Sequence, residues 1–345
     1  MATSPSFLTA LSRNAGALLR KYAPQTVLIG LIALFTFVSP NFMTVSNLTL
    51  MVRQISFATI SAVGIMFVMI SGAIDLSIGS QIVLTNIVMA ILMVRYHVHP
   101  VLAIVCCLVM GTLLGTMNGL LSVRLGVHPL IITLGTSTIY KGLGYIAADG
   151  KNIIGLPESF KVLGQGYLGP VPIPVAIMIV IAIVADLVLM RTYFGRYVFA
   201  MGGNAEAARL AGLNIDKMRV ITFAICGFAS GITSVLLLSR VFSGQVFTGQ
   251  GVEFDCLTAA LLGGVSFTGG EGTIFGLITG VLIIGVLNNA MQLAGLADFY
   301  QNVVKGTVLL VAVGFDMYQR RREAREAAAR VKPSETRGDG RRAVP

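Results

Sequence analysis

Val171-Pro-Ile-Pro-Val-Ala-Ile-Met-Ile-Val-Ile-Ala-Ile-Val-Ala-Asp-Leu-Val-Leu-Met190 decides the fold, because Asp186 is its only charged residue. At 1.5 Å per residue a helix over this stretch is about 30 Å long, the thickness of a bilayer's hydrocarbon core. Lipid offers backbone N–H and C=O groups no partner, so a run of this kind must satisfy itself as a helix. Working outward, comparable runs lie at 23–39, 48–70, 79–94, 100–122, 128–147, 218–240, 254–268, 274–294 and 299–317. Charged residues make up 12% of the chain, half of what a soluble globule uses for its surface. Disorder, a disulfide scaffold and a cytosolic enzyme are thereby excluded. The expectation is an all-α polytopic membrane protein with about ten transmembrane helices.

The first run follows Arg20-Lys21 without a small-residue cleavage site, so it reads as a retained span rather than a signal peptide. The net charge of +10 comes with no aromatic-interleaved basic face, and no nucleic acid is expected as a partner. With ten spans and an N-terminus inside, 18 basic residues fall on the cytoplasmic side and four (Arg95, Lys151, Lys161, Arg240) outside. That asymmetry obeys the positive-inside rule and places both termini in the cytoplasm. Residues 1–21 then form a cytoplasmic segment, 22–317 the transmembrane domain with a cytoplasmic segment at 191–217, and 318–345 a charged tail that starts helical and frays. Cys106, Cys107, Cys226 and Cys256 lie in apolar runs without metal or redox spacing and read as small core residues.

Two glycine-rich stretches interrupt the pattern. Ser71-Gly-Ala-Ile-Asp-Leu-Ser-Ile-Gly79 and Gly263 to Gly272 read either as tight turns or as broken, re-entrant helices. An offset of 197 superposes Phe57, Ala62, Val68, Gly72 and Gly79 on Phe254, Ala259, Val265, Gly269 and Gly276. This is a candidate internal repeat, and transporters place sites at repeat interfaces.

No paired carboxylates, nucleophile elbow, His/Cys cluster or P-loop is present, so catalysis is not expected. Polar residues inside spans are the candidates for a translocation pathway, because each is costly in lipid. Lys305 reads as a pathway residue or as an interfacial side chain that snorkels to water. Asp75 reads as a helix cap or a solute contact. Asn118, Asn288, Asn289 and Gln292, with Asn86, offer amides that can bond sugar hydroxyls or a neighbouring helix. Asn288 and Gln292 are four apart and share a helical face.

The segment Gly202-Gly-Asn-Ala-Glu-Ala-Ala-Arg-Leu-Ala-Gly-Leu-Asn-Ile-Asp-Lys217 has its own logic. Asn204 is an N-cap, Glu206 lies in the positive first turn and Gly212 is a C′ stop. A short helix held between two spans suits docking of a cytoplasmic partner, or it rests on the membrane surface.

Glu206-Ala207-Ala208-x3-Gly212 resembles the coupling loop of ABC importer permeases. Asn214-Ile-Asp-Lys217 stands where the commonest version has Ile-x-Leu-Pro, a departure similar to the ribose/xylose/galactose branch. Ser71 to Ser80, Asn118-Gly119, Pro129 to Thr136, Ile139 to Leu143, Leu262 to Ser266, Gly269-Gly270 and Leu287 to Asn289 resemble that branch too, over about residues 22–317. The resemblance implies the non-catalytic transmembrane subunit of a monosaccharide importer in a bacterial inner membrane. It implies an ABC ATPase that binds ATP and Mg, with no cofactor on this chain, a periplasmic sugar-binding protein and a second permease copy or paralogue. Membrane lipid surrounds the assembly. The alternatives are an ABC permease for a branched-chain amino acid, nucleoside or furanosyl signalling molecule, and an ion-coupled secondary transporter.

Overall fold

The structure, a computed structural model, describes residues 23–331; segment 1–21 and the end of the tail, 332–345, lie outside the described residues. The chain opens with α1 (Ala23–Val38), α2 (Val45–Ile70), α3 (Ile78–Val94), α4 (Pro100–Leu125) and α5 (Pro129–Ala148). A loop follows with α6 (Lys161–Gln165) and an antiparallel hairpin, β1 (Tyr167–Leu168) and β2 (Val171–Pro172). Then come α7 (Ile173–Arg191), α8 (Tyr193–Gly203), α9 (Ala205–Leu210), α10 (Ile215–Val241), α11 (Val252–Leu262), α12 (Ile274–Leu293) and α13 (Asp298–Val331). Each apolar run of the sequence holds a helix, and the fold is all-α and polytopic.

Among the described residues, α2, α4, α7, α10 and α12 are long and apolar enough to cross a bilayer, and the shorter α1 and α3 are also apolar. The 11 residues of α11 extend about 16 Å, half of the hydrocarbon core, so α11 alone does not cross. The short run at 254–268 is a half-helix that ends in the Gly263–Gly272 break. α13 does not stop where the apolar sequence stops but runs on through Val331.

Start signals are local. α4 and α5 both open on His-Pro: the backbone N–H of Val101 donates to His99 Nδ1 and that of Leu130 to His128 Nδ1, each at 3.3 Å. Pro100 and Pro129 fill the first helical turn, where a missing N–H costs nothing.

Helices α2 and α10 form the centre. α10 meets α4 through small residues, since Gly111, Gly115 and Gly119 on one face Gly227, Phe223 and Val220 on the other. A Cβ on Gly115 would run into the carbonyl of Phe223. In lipid, where burial of apolar surface gives helices little reason to associate, this close backbone contact is what joins them. α4 and α7 show mostly exposed side chains, including Val105, Val109, Ile183 and Leu187, as membrane-facing helices do. Cys106 is exposed on α4, unlike the other three cysteines.

The two breaks meet each other. α2 ends at Ser71 with Gly72 at φ +79°, and α11 ends at Gly263 with Gly264 at φ +80°. Each glycine donates back to a helical carbonyl, Met69 and Leu261 respectively, a left-handed stop only glycine adopts freely. The next helices start from Ser77 and Thr273. Both stretches thus share the pattern helix, glycine stop, helix. The 197 offset fits the second helices to within a residue, but the second break is longer, and Gly72 is the counterpart of Gly264, not Gly269. Gly269 instead packs on Gly72 and Gly202, and Gly270 N–H donates to Ile70 O at 2.9 Å.

The loop from 148 to 170 shows no fold of its own in sequence, yet it is tied to α10. Gly164 N–H donates to Ser239 Oγ at 2.7 Å, and Gln165 Nε2 to Arg240 O at 3.0 Å. Only glycine at 164 lets the backbones approach this closely.

Candidate functional site

The segment at 204–212 forms as its residues predict. Asn204 Oδ1 accepts from Ala207 N–H at 2.9 Å, Glu206 sits in the first turn of α9, and Gly212 takes φ +88°. Gly212 N–H donates to Arg209 O and Leu213 N–H to Ala208 O, which closes the helix. Ala208 is buried against the bundle, whereas Glu206 and Ala207 are exposed and Leu210 is 85% exposed. Arg209 reaches Asp216 of α10 at 3.5 Å. α9 follows directly on α8, whose Gly202 packs closely against Ile70 O and Gly270 N, so it is α8 that touches both breaks.

Asp75 is fully enclosed between α2 and α3. Its Oδ1 accepts from Ser77 N–H at 2.8 Å and Ser77 Oγ–H at 2.6 Å, and Oδ2 accepts from Gln81 Nε2 at 3.4 Å. Asn118 Nδ2 donates to Ser77 Oγ at 2.7 Å, Tyr140 O–H to Asn118 Oδ1 at 3.0 Å, and Ser230 Oγ–H to Gln81 Oε1 at 3.1 Å. Four elements, α3, α4, α5 and α10, are therefore pinned to the unwound stretch 71–77. Unwound backbone at membrane depth persists only where protein satisfies it, and here Asp75 accepts the Ser77 N–H and Thr133 Oγ–H donates to Ile74 O at 3.4 Å.

The second constellation gathers around Asp255, in the first turn of α11. Lys305 Nζ of α13 lies 2.8 Å from Asp255 Oδ2, and Asn288 Nδ2 of α12 donates to the same oxygen at 3.4 Å. The side chains of Lys305 and Asp255 are 24% and 20% exposed. Lys305 is thus one half of an interhelical ion pair rather than a snorkelling cation. A 180 Å³ cavity between α2, α10, α11 and α12 is walled in part by Asp255 and Asn288.

The remaining amides part company. Asn289 exchanges both of its amide groups with Asn47, at 2.9 and 2.8 Å, which ties α12 to α2. Gln292 is exposed and stands apart from Asn288, despite the four-residue spacing. Asn86 is buried with neither amide atom partnered. Sequence reasoning missed Asp255, the hub of the second group, and Gln81 and Tyr140 in the first. Asp255 did carry a signal, an acidic residue in the first turn of an apolar run, where the positive helix end favours it.

A family model described as "Branched-chain amino acid transport system / permease component" matches residues 47–313. The chain belongs to that family. Among its relatives, the ribose import permease protein RbsC of Haemophilus influenzae is 39% identical over 295 residues, 84% of this chain and 91% of the relative. RbsC of Bacillus subtilis is 37% identical over 300 residues, covering 86% and 93%. The L-arabinose transport system permease protein AraH of Escherichia coli is 36% identical over 321 residues, covering 93% and 98%. No solved structure matches the chain. The matched span holds α9, the Asp75 network, the Asp255 group and both helix breaks, so these features lie in the family's own domain and this permease is a multi-pass membrane protein.

Proposed function

We propose that the chain is the transmembrane subunit of an ATP-driven importer that moves a monosaccharide across the bacterial inner membrane. Similarity along most of both chains to permeases named for ribose and L-arabinose carries this reading. In it, the 18-to-4 distribution of basic residues sets both termini and α9 in the cytoplasm. A partner ATPase binds ATP and Mg, this chain binds neither, and a periplasmic sugar-binding protein delivers the solute to the opposite face. A second permease copy or paralogue completes the pathway.

Docking on α9 is supported by the exposure of Leu210 and Ala207, surface that a partner would cover. Closure of the ATPase pair moves α9, and the Gly202 seam passes that motion to the breaks at 71–77 and 263–273. The ATPase's binding energy thereby shifts the population between outward-open and inward-open states. Replacing Glu206 by Ala or Gly212 by Val, which cannot hold φ +88° without strain, is expected to leave ATP hydrolysis running while uptake falls. Normal uptake in both variants removes the docking role.

The family model's description favours one second reading, a branched-chain amino acid as solute. A thermal-shift panel of sugars and amino acids on the co-purifying binding protein separates the two.

A further inference from the structure

A cavity of 680 Å³ lies at the end of the bundle that carries α9, and neither the docking role of α9 nor the two carboxylate networks accounts for it. Its wall joins Arg209 of α9, Gly72 of the first break, His128 in the turn between α4 and α5, and Asp216 and Arg219 of α10. The volume falls within the ~300–1,000 Å³ of small-molecule sites. The charges on this wall do not balance. Two guanidinium groups, Arg209 and Arg219, stand against one carboxylate, Asp216, which leaves one positive charge. Asp216 pairs with Arg209 at 3.5 Å. Arg219 feels the charges of Asp216 and Arg209, but no described residue receives a hydrogen bond from its side chain, and its Nε is enclosed without an acceptor. A half-buried cation in that position is unfavourable until a counter-charge reaches it.

Further donors lie on the same wall. His128 Nδ1 accepts the Leu130 N–H at 3.3 Å, so the neutral ring carries its proton on Nε2, as a donor. The 20-residue α5 starts in the same turn and adds the positive end of its dipole. Donors from α9, α10 and the α4–α5 turn suit an anion with several oxygens. A phosphate monoester carries a charge of about −1.5 to −2 at pH 7 with three strong acceptor oxygens, enough for Arg209, Arg219 and His128 together. Guanidinium forks match phosphate oxygens two at a time. The net charge of the wall repels a metal cation, and a neutral sugar leaves that charge uncompensated.

From this we infer that the cavity is a binding site for a phosphate group, held between Arg209 and Arg219 and carried by a soluble monoester or by the headgroup of an anionic phospholipid. Basic pockets between spans on the cytoplasmic side hold anionic headgroups in other membrane proteins, and the same donors serve a soluble ester. A phosphate bound here ties α9 to α10 and to the α4–α5 turn, and so restrains the helix on which the ATPase docks. The inference rests on the importer reading only for the side of the membrane, the cytoplasmic one, from which the phosphate arrives.

The test is equilibrium dialysis of radiolabelled D-ribose 5-phosphate against the full chain in nanodiscs of zwitterionic phosphatidylcholine, with inorganic phosphate and D-ribose as competitors. The expected result is binding that inorganic phosphate displaces and D-ribose does not. Arg219→Gln should weaken it about tenfold, and Asp216→Asn, which removes the carboxylate from the wall, should strengthen it about threefold. The Asp216–Arg209 pair is exposed and contributes little to stability, and a misfolded variant does not bind more tightly, so Asp216→Asn decides even if Arg219→Gln fails to fold. Native mass spectrometry from phosphatidylglycerol nanodiscs separates the two sources. Lipid retained by the unaltered chain and shed by Arg219→Gln marks the headgroup, and no difference between them marks the soluble monoester. Absence of displaceable binding overturns the site, as does displacement by D-ribose or an Asp216→Asn chain that binds no more tightly. If phosphate does not bind and Arg219→Gln instead sheds the ATPase from the assembled complex, Arg219 receives a partner's carboxylate and the phosphate site is lost. Neither ATPase nor transport enters the dialysis, so its failure leaves the importer reading standing, and an importer that fails to take up D-ribose leaves the site standing.

Discussion

Asp75 and Asp255 are both carboxylates at a helix break, and the protein uses them differently. Asp75 accepts three hydrogen bonds, meets no cation among the described residues and is only 1% exposed. Asp255 pairs with a lysine, stays partly open and borders a cavity, and the neighbouring Asn288 keeps a buried amide oxygen without a partner. A polar network whose members satisfy one another is a fastening, and at low dielectric each missing member is costly. The Asp255 group, with one acceptor unpaired, is fastened less completely. Position in the membrane does not tell these roles apart; the completeness of the hydrogen bonding does.

Variants can break that contrast. The largest effect is expected from Asp75→Leu, which strands the Ser77 N–H, the Ser77 hydroxyl and the Gln81 amide in a closed interior. A loss of about 3–5 kcal/mol should show as a sharp fall in the melting temperature of the detergent-solubilised protein by size-exclusion thermostability. An unchanged melting temperature ends the fastening role. Tyr140→Phe removes only the O–H that Asn118 Oδ1 accepts, so about 1 kcal/mol is expected in the same assay. Asp255→Asn should cost still less stability, about 1 kcal/mol at most, because the ion pair is partly exposed. Its uptake should nonetheless fall well below that of Tyr140→Phe. If Asp255→Asn melts as early as Asp75→Leu and transports normally, the two carboxylates have been assigned the wrong way round.

Much of the fold was legible because its signals are local. Apolar runs, the Asn204 cap, the Gly212 stop and the glycine-rich breaks each depend on a few adjacent residues and form near where the sequence says, although the run at 254–268 holds only the 11-residue α11 and five helices are long and apolar enough to cross among the described residues. The site was only half legible. Lys305 stands out as a charge in an apolar run, but its partner lies 50 residues away, and no periodicity reports that distance. Asn289 and Asn47 pair across 242 positions, and a single chain read locally gives no sign of it. Spacing placed Gln292 on the face of Asn288, yet near the end of α12 that face has already emerged from the bundle. The loop at 148–170 had no pattern because α10 supplies its order from outside.

The central claim is that α9 is the handle by which a partner ATPase drives this permease. Affinity purification of the tagged chain from its native membrane, after mild crosslinking and with mass spectrometry of what accompanies it, tests the claim most directly. The account predicts an ABC ATPase crosslinked to residues of 204–212, with a periplasmic binding protein in the same complex. A chain that arrives alone, or an ATPase crosslinked only to the opposite face, contradicts it.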